Sequence, residues 1–105
     1  HWITVREETQ GDMGLFRYRL LLRDGGMLEI FELFRIMEEN VQVVKYSFYW
    51  QDSNGRLRKR WDNAAHHPDV STYPHHVHDG AEANVLSHRP IRAEEVLSTI
   101  AAEAG

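Results

Sequence analysis

The chain contains no cysteine. That excludes disulfides, thiolate zinc sites and cysteine nucleophiles, so any site has to be assembled from imidazole, carboxylate, hydroxyl and guanidinium groups. Long apolar runs are missing as well. No stretch approaches the roughly 18 residues that suggest a membrane span, and no basic segment followed by an apolar one marks secretion. A membrane partner is excluded on this reading, and the expected compartment is the cytoplasm. Nor is there an excess of positive charge: 12 Lys and Arg against 16 Asp and Glu leave a net −4, unsuited to a general nucleic-acid coat.

What is present is unevenly spread. Residues 41–80 hold Lys45, Arg56, Arg58, Lys59 and Arg60 against Asp52, Asp62, Asp69 and Asp79, a balance of +1, which leaves −5 on the rest of the chain. Five of the 7 histidines fall between His66 and His78. Histidine gains charge as pH falls, which deepens the polarity between the two regions.

At 105 residues, 42% of them hydrophobic, the chain fits a single domain spanning residues 1–105. Its first two-thirds alternate with period two, the signature of half-buried strands. FRYRLLL, MLEIFELFRI, VQVVKYSFYW and LRKRWD are strand candidates, with ITVRE a weaker one. They are separated by Arg23-Asp24-Gly25-Gly26, Glu38-Glu39-Asn40 and Asp52-Ser53-Asn54-Gly55, all turn-forming sequences. If each turn has two residues at its tip, one face collects Phe16, Tyr18, Leu20, Phe31, Leu33, Tyr46, Phe48, Trp50 and Trp61 and is buried. The other collects Arg17, Arg19, Glu32, Lys45, Ser47, Tyr49, Arg58, Arg60 and Asp62, with Ile30, Phe34 and Val43 in its middle. Two prolines and little periodic apolar content make residues 63–80 irregular. In PIRAEEVLSTIAAEA, Ala93, Val96, Leu97, Ile100 and Ala101 recur at helical spacing and suit a stripe against the aromatic face. The expected fold is α+β: an antiparallel meander sheet of four to five strands with a C-terminal helix packed on one face.

Three chemistries compete for the histidines. In an extended Pro74-His75-His76-Val77-His78, His76 and His78 share one side and His75 takes the other. If His66 or His67 folds back onto that pair, three imidazoles could hold a divalent metal ion with a position left for water. No metal is favoured from spacing alone, and if one is held, His76 and His78 are its first ligands. Acid/base work needs fewer coincidences. Metal-free RNA cleavage asks for a base at the 2′-hydroxyl, an acid at the leaving 5′-oxygen and a cation near the phosphate. His66, His67, His75, His76 and His78 suit the first two tasks. Arg58, Arg60 or Tyr49 suits the third, and Asp62 can orient an imidazole. The third alternative is structural, with loop imidazoles hydrogen-bonding backbone groups that lack a ladder partner.

Lys45 to Gly80, KYSFYWQDSNGRLRKRWDNAAHHPDVSTYPHHVHDG, resembles the signature of the TumE-type toxins of type II toxin-antitoxin systems. The shared blocks are W-Q-D-x-x-G-x-L-x-x-R-W-D-N-A-x-H-H-P and P-H-H-x-H, and the likeness extends through LRDGGMLEIFEL and EEVLSTI. The resemblance implies a toxin with suspected ribonuclease activity, an RNA substrate and a TumA-type protein antitoxin. A homodimer is left open, as is a metal cofactor. Members of the family begin with a helical segment, so the resemblance also implies that an N-terminal helical element is missing ahead of ITVRE.

Overall fold

Period-two alternation carries through as strands in a computed structural model that describes residues 2–104, leaving out the side chains of residues 2–6 and 104. The elements are β1 (Trp2–Gln10), β2 (Met13–Leu21), β3 (Met27–Met37), β4 (Asn40–Gln51), β5 (Leu57–Asp62), β6 (His76–Asp79), β7 (Val85–Ser87) and α1 (Ala93–Ala104). All seven strands form one sheet in chain order, each antiparallel to the next. The α+β meander with its helix is as expected; the expected four to five strands is an undercount. β6 and β7 are only 4 and 3 residues long. They lie where apolar alternation is too brief to register, and pairing with β5 orders them. The expected missing helical element lies outside the described residues.

Helix α1 covers one face. Val96 and Ile100, preceded by buried Ile91, pack with Leu28, Ile30, Tyr46, Phe48, Trp50, Trp61 and Val77, while Ala93 and Leu97 flank the cluster. Ala101, expected in this stripe, is exposed. At the helix start, Glu95 reaches back to accept a hydrogen bond from the Arg92 amide at 3.3 Å. A capping-box contact of this kind offsets the poor N-cap at Arg92.

The register in the middle of the sheet differs from the two-residue-turn expectation, and the reason is local. Between β2 and β3, Leu22 N donates to Gly26 O at 2.9 Å and Gly25 N to Leu22 O at 3.1 Å, so three residues form the tip. Gly25 takes φ 88°, which such a loop requires and a side chain resists. The extra residue inverts β3 relative to β2: Leu28 and Ile30 face the helix, and Phe31 and Leu33 face away. A bulge at Val44, between the pairs Leu33↔Lys45 and Phe34↔Val43, shifts β4 by one more residue. The two shifts cancel. Phe16 and Leu20 therefore still share the helix face with Tyr46, Phe48, Trp50 and Trp61, as expected.

Glu32, expected on the polar face, is turned inward by the same shift. It stands opposite Phe16 and Tyr46, near Glu94 at the head of the helix. Burial pushes its carboxyl above the usual carboxylate range, and Glu94 adds to the effect. A raised folded pKa makes the ionised form a liability, so stability is lost as pH rises through the ordinary carboxylate range. Glu32→Gln is expected to abolish that loss in denaturant titrations at several pH values. In the same assay Leu28→Ala, at a fully buried position, should cost about 2–5 kcal/mol. Leu33→Ala should cost clearly less, and equal losses would contradict this register.

Candidate functional site

The face turned away from the helix is where the chemistry collects. On β5 and β6, Trp61 pairs with Val77 and both side chains enter the core. Alternation then sends the flanking pairs, Arg60↔His78 and Asp62↔His76, to the opposite face. Ser47 on β4 stands directly across from Asp62 and adds a hydroxyl to the same row.

The loop of residues 63–75 is folded back onto that row by its own polar side chains. Ala64 N donates to Asp62 Oδ1 at 3.0 Å, an Asx-type turn. Asn63 Oδ1 accepts from Tyr46 N at 2.9 Å, and its Nδ2 donates to Val44 O at 3.1 Å. The amide thus acts as one more rung of the ladder at the β4 bulge. At the far end Thr72 Oγ1 donates to His75 O at 2.6 Å and accepts from His88 N at 2.8 Å. His67 is brought over the strand row as a result. Its ring meets those of His76 and His78 edge-on, with centroids 4.9 and 5.5 Å away, and the last two are 4.9 Å apart.

The centre is tightly knit. Asp62 Oδ1 lies 2.9 Å from His76 Nε2 and Oδ2 lies 3.5 Å from His78 Nε2. The two Nε2 atoms are 3.2 Å apart. On the outer edges of the rings, His76 Nδ1 faces Pro74 O at 2.9 Å and His78 Nδ1 faces Glu82 O at 2.8 Å. A carbonyl can only accept, so both Nδ1 atoms carry hydrogen and both imidazoles turn Nε2 to the centre. Arg60, which can only donate, lies with Nη2 3.1 Å from His78 Nε2 and agrees with that tautomer. Its Nε donates to Asp62 Oδ2 at 3.2 Å, and its outer edge pairs with Glu82 at 2.8 Å.

A pocket of about 220 Å³ opens over this arrangement, lined by Lys45, Ser47, Arg60, Asp62, His66, His67, His76 and His78. His76 and His78 are 1% and 3% exposed and form its floor, whereas His66 and Lys45 are exposed at its rim. Of the residues expected from sequence, His66, His67, His76, His78, Arg60 and Asp62 are together here. His75 is not: it stacks on Tyr46, ring centroids 5.8 Å apart, beside a second cavity that also borders Ile91. Burial, with His76 adding, holds its pKa below the usual histidine value. Burial likewise pushes the Tyr46 hydroxyl up to about 12, so it stays protonated, and it shares a hydrogen bond with His75 Nδ1 at 2.8 Å. Arg58 sits at a β5 bulge with its guanidinium 4.5 Å from the Trp50 ring centroid, outside the pocket. Tyr49 faces Arg60 across the ladder without lining the pocket. Lys45, Ser47 and Glu82 were not singled out as site residues. The alternation of β4 was the available signal for the first two, and nothing local marks Glu82.

The fold and the histidine-lined pocket together define a small sheet-backed protein with a polar centre on its open face. A family model described as Toxin TumE matches residues 2–104, and the chain belongs to that family. Membership makes it a toxin and implies an antitoxin partner. No curated protein and no solved structure matches it. Among the described residues no helix is long and apolar enough to cross a membrane.

The loop's attachment is open to test by stability. Asn63→Ala strips two backbone groups of their partner and should cost about 1–3 kcal/mol in urea titrations. His66→Ala, at an exposed rim position, should stay within about 0.5 kcal/mol.

Proposed function

We propose that this toxin cleaves RNA in the histidine pocket, and that a TumA-type antitoxin neutralises it by covering that pocket. The observation that carries the reading is the convergence of His67, His76 and His78 with Asp62 and Arg60 in one solvent-connected pocket. These are the group types that transesterification of RNA asks for. The 2′-oxygen attacks phosphorus as a base takes its proton, and the 5′-oxygen leaves as an acid protonates it, giving a 2′,3′-cyclic phosphate and a free 5′-hydroxyl.

Accessibility divides the roles. Buried His76 and His78 cannot meet a polynucleotide directly, so the centre works through its exposed edge at His67, where it supplies the base. His66 at the rim is placed to protonate the leaving oxygen. Lys45 and Arg60 supply positive charge for the phosphate in the transition state. A cavity of about 220 Å³ is smaller than the roughly 300–1,000 Å³ of sites for drug-sized ligands, which fits a phosphodiester better than a base. His75, Arg58 and Tyr49 take no direct part in this reading.

The test is cleavage of a short single-stranded RNA by purified protein from about pH 5 to 8, with and without divalent ions. Wild type should release a cyclic-phosphate end. His66→Ala and His67→Ala should each slow the reaction by about 10²–10⁴-fold. RNA left intact under every condition would defeat the proposal. Toxicity that survives His67→Ala and vanishes in Lys45→Glu would point to a non-enzymatic binding module instead.

A further inference from the structure

Three groups able to accept hydrogen bonds meet in the floor of the pocket. His76 Nε2, His78 Nε2 and the Asp62 carboxylate stand 2.9, 3.2 and 3.5 Å from one another. Each is fixed from behind: Pro74 O and Glu82 O hold the imidazole Nδ1–H groups, and the Ala64 amide and Arg60 hold the carboxylate. Buried lone pairs facing one another are unfavourable unless something positive lies between them. Arg60 answers His78 Nε2 and one Asp62 oxygen from the side and leaves the middle unfilled. A shared proton fills one acceptor–acceptor contact. A cation at the middle fills all three.

We propose that His67, His76 and His78, with Asp62 as fourth ligand, form a binding site for a divalent transition-metal ion of the zinc class. The spacing agrees. A tetrahedral ion with metal–nitrogen bonds of about 2.0–2.1 Å holds its ligand atoms about 3.3 Å apart, and the two Nε2 atoms are at 3.2 Å. One ring nitrogen of His67 completes a set in which the three imidazole ligand atoms lie within 4.8 Å of one another. His67 is carried by a loop, so closing the remaining distance asks movement of a side chain that is only half-buried, not of the strands. Imidazole with one carboxylate suits zinc, copper, iron or nickel better than magnesium or calcium, which take all-oxygen shells. The backbone carbonyls behind His76 and His78 are the outer partners that metal-bound histidines require. When the ion enters, Arg60 gives up the His78 lone pair and keeps Asp62 and Glu82.

Such an ion also supplies what the RNA-cleaving reading assigns to the centre. Water held at an exposed position of the ion, in place of or beside Asp62, loses a proton near neutral pH and becomes the base. That use of the ion rests on the reading above; its binding does not.

Binding is tested without RNA. Metal-stripped protein is titrated with Co²⁺ and then Zn²⁺, following visible absorption, stoichiometry and thermal unfolding. Wild type should take up a single Co²⁺ per chain with the intense visible bands of four- or five-coordinate cobalt, lose them to Zn²⁺, and unfold at a higher temperature with either ion. His67→Ala removes a ligand from the loop without touching the strands and should weaken binding by about 100-fold or more, beyond the 10–100-fold that outer partners alone provide. His75→Ala, on the other face, should bind as wild type does. The proposal is overturned if wild type takes up no stoichiometric Co²⁺, shows only the pale spectrum of six-coordinate cobalt, or binds no better than His67→Ala. Because no readout uses RNA, an ion that binds while RNA stays intact removes the cleavage reading and leaves the site. RNA cleavage by protein that binds no ion does the reverse.

Discussion

Antiparallel pairing of β5 with β6 decides which side of the sheet each of eight residues faces, and both halves of the molecule depend on it. With Trp61 opposite Val77, two apolar side chains go to the helix, and Arg60, Asp62, His76 and His78 go to the other face. A slip of β6 by one residue would separate these sets. Val77 would meet water, and the imidazoles of His76 and His78 would be pushed under α1, away from Arg60 and Asp62. Strand pairing therefore ties folding to assembly of the centre, because the register that puts Val77 beside Trp61 in the core is the one that gathers Arg60 and Asp62 with His76 and His78.

The two faces are finished by different means. On one, α1 seals an aromatic and aliphatic cluster by burial, which is non-directional and tolerates small adjustments. On the other, the loop of residues 63–75 is attached by directional hydrogen bonds from Asn63, Asp62 and Thr72. That attachment is local and polar, and it carries His66 and His67. The division places the rigid part of the centre on strands and its adaptable part on a loop, the usual distribution for a site that must admit a ligand. It also leaves the pocket facing outward on the side that the helix does not cover.

Much of this was legible in the chain. The hairpin signals at Gly25 and Gly55, the helical spacing of Val96 and Ile100, and the alternation around Trp61 gave the meander, the packed helix and the sidedness of Arg60 and Asp62. Period two put His76 and His78 together and His75 opposite. Other features were hidden for physical reasons. A turn tip of three residues in place of two, and a bulge at Val44, each move the pattern by one position, and neither leaves a mark in hydrophobicity. Strands of 3 or 4 residues are too short to show alternation. The path that brings His67 to the strand row depends on side-chain hydrogen bonds across 17 and 19 positions of the chain. No local pattern encodes those.

The central claim is that two buried imidazoles are held with their Nε2 atoms turned inward by carbonyls at Nδ1, and the protonation pattern of their ring nitrogens tests it most directly. Nitrogen-15 NMR of the imidazoles in metal-free protein reads that pattern without any substrate, partner or substitution. The geometry predicts that Nδ1 carries hydrogen in both His76 and His78, held by Pro74 O and Glu82 O. An unprotonated Nδ1 in either ring would turn its Nε2 into a donor facing its neighbours and contradict the account of the centre.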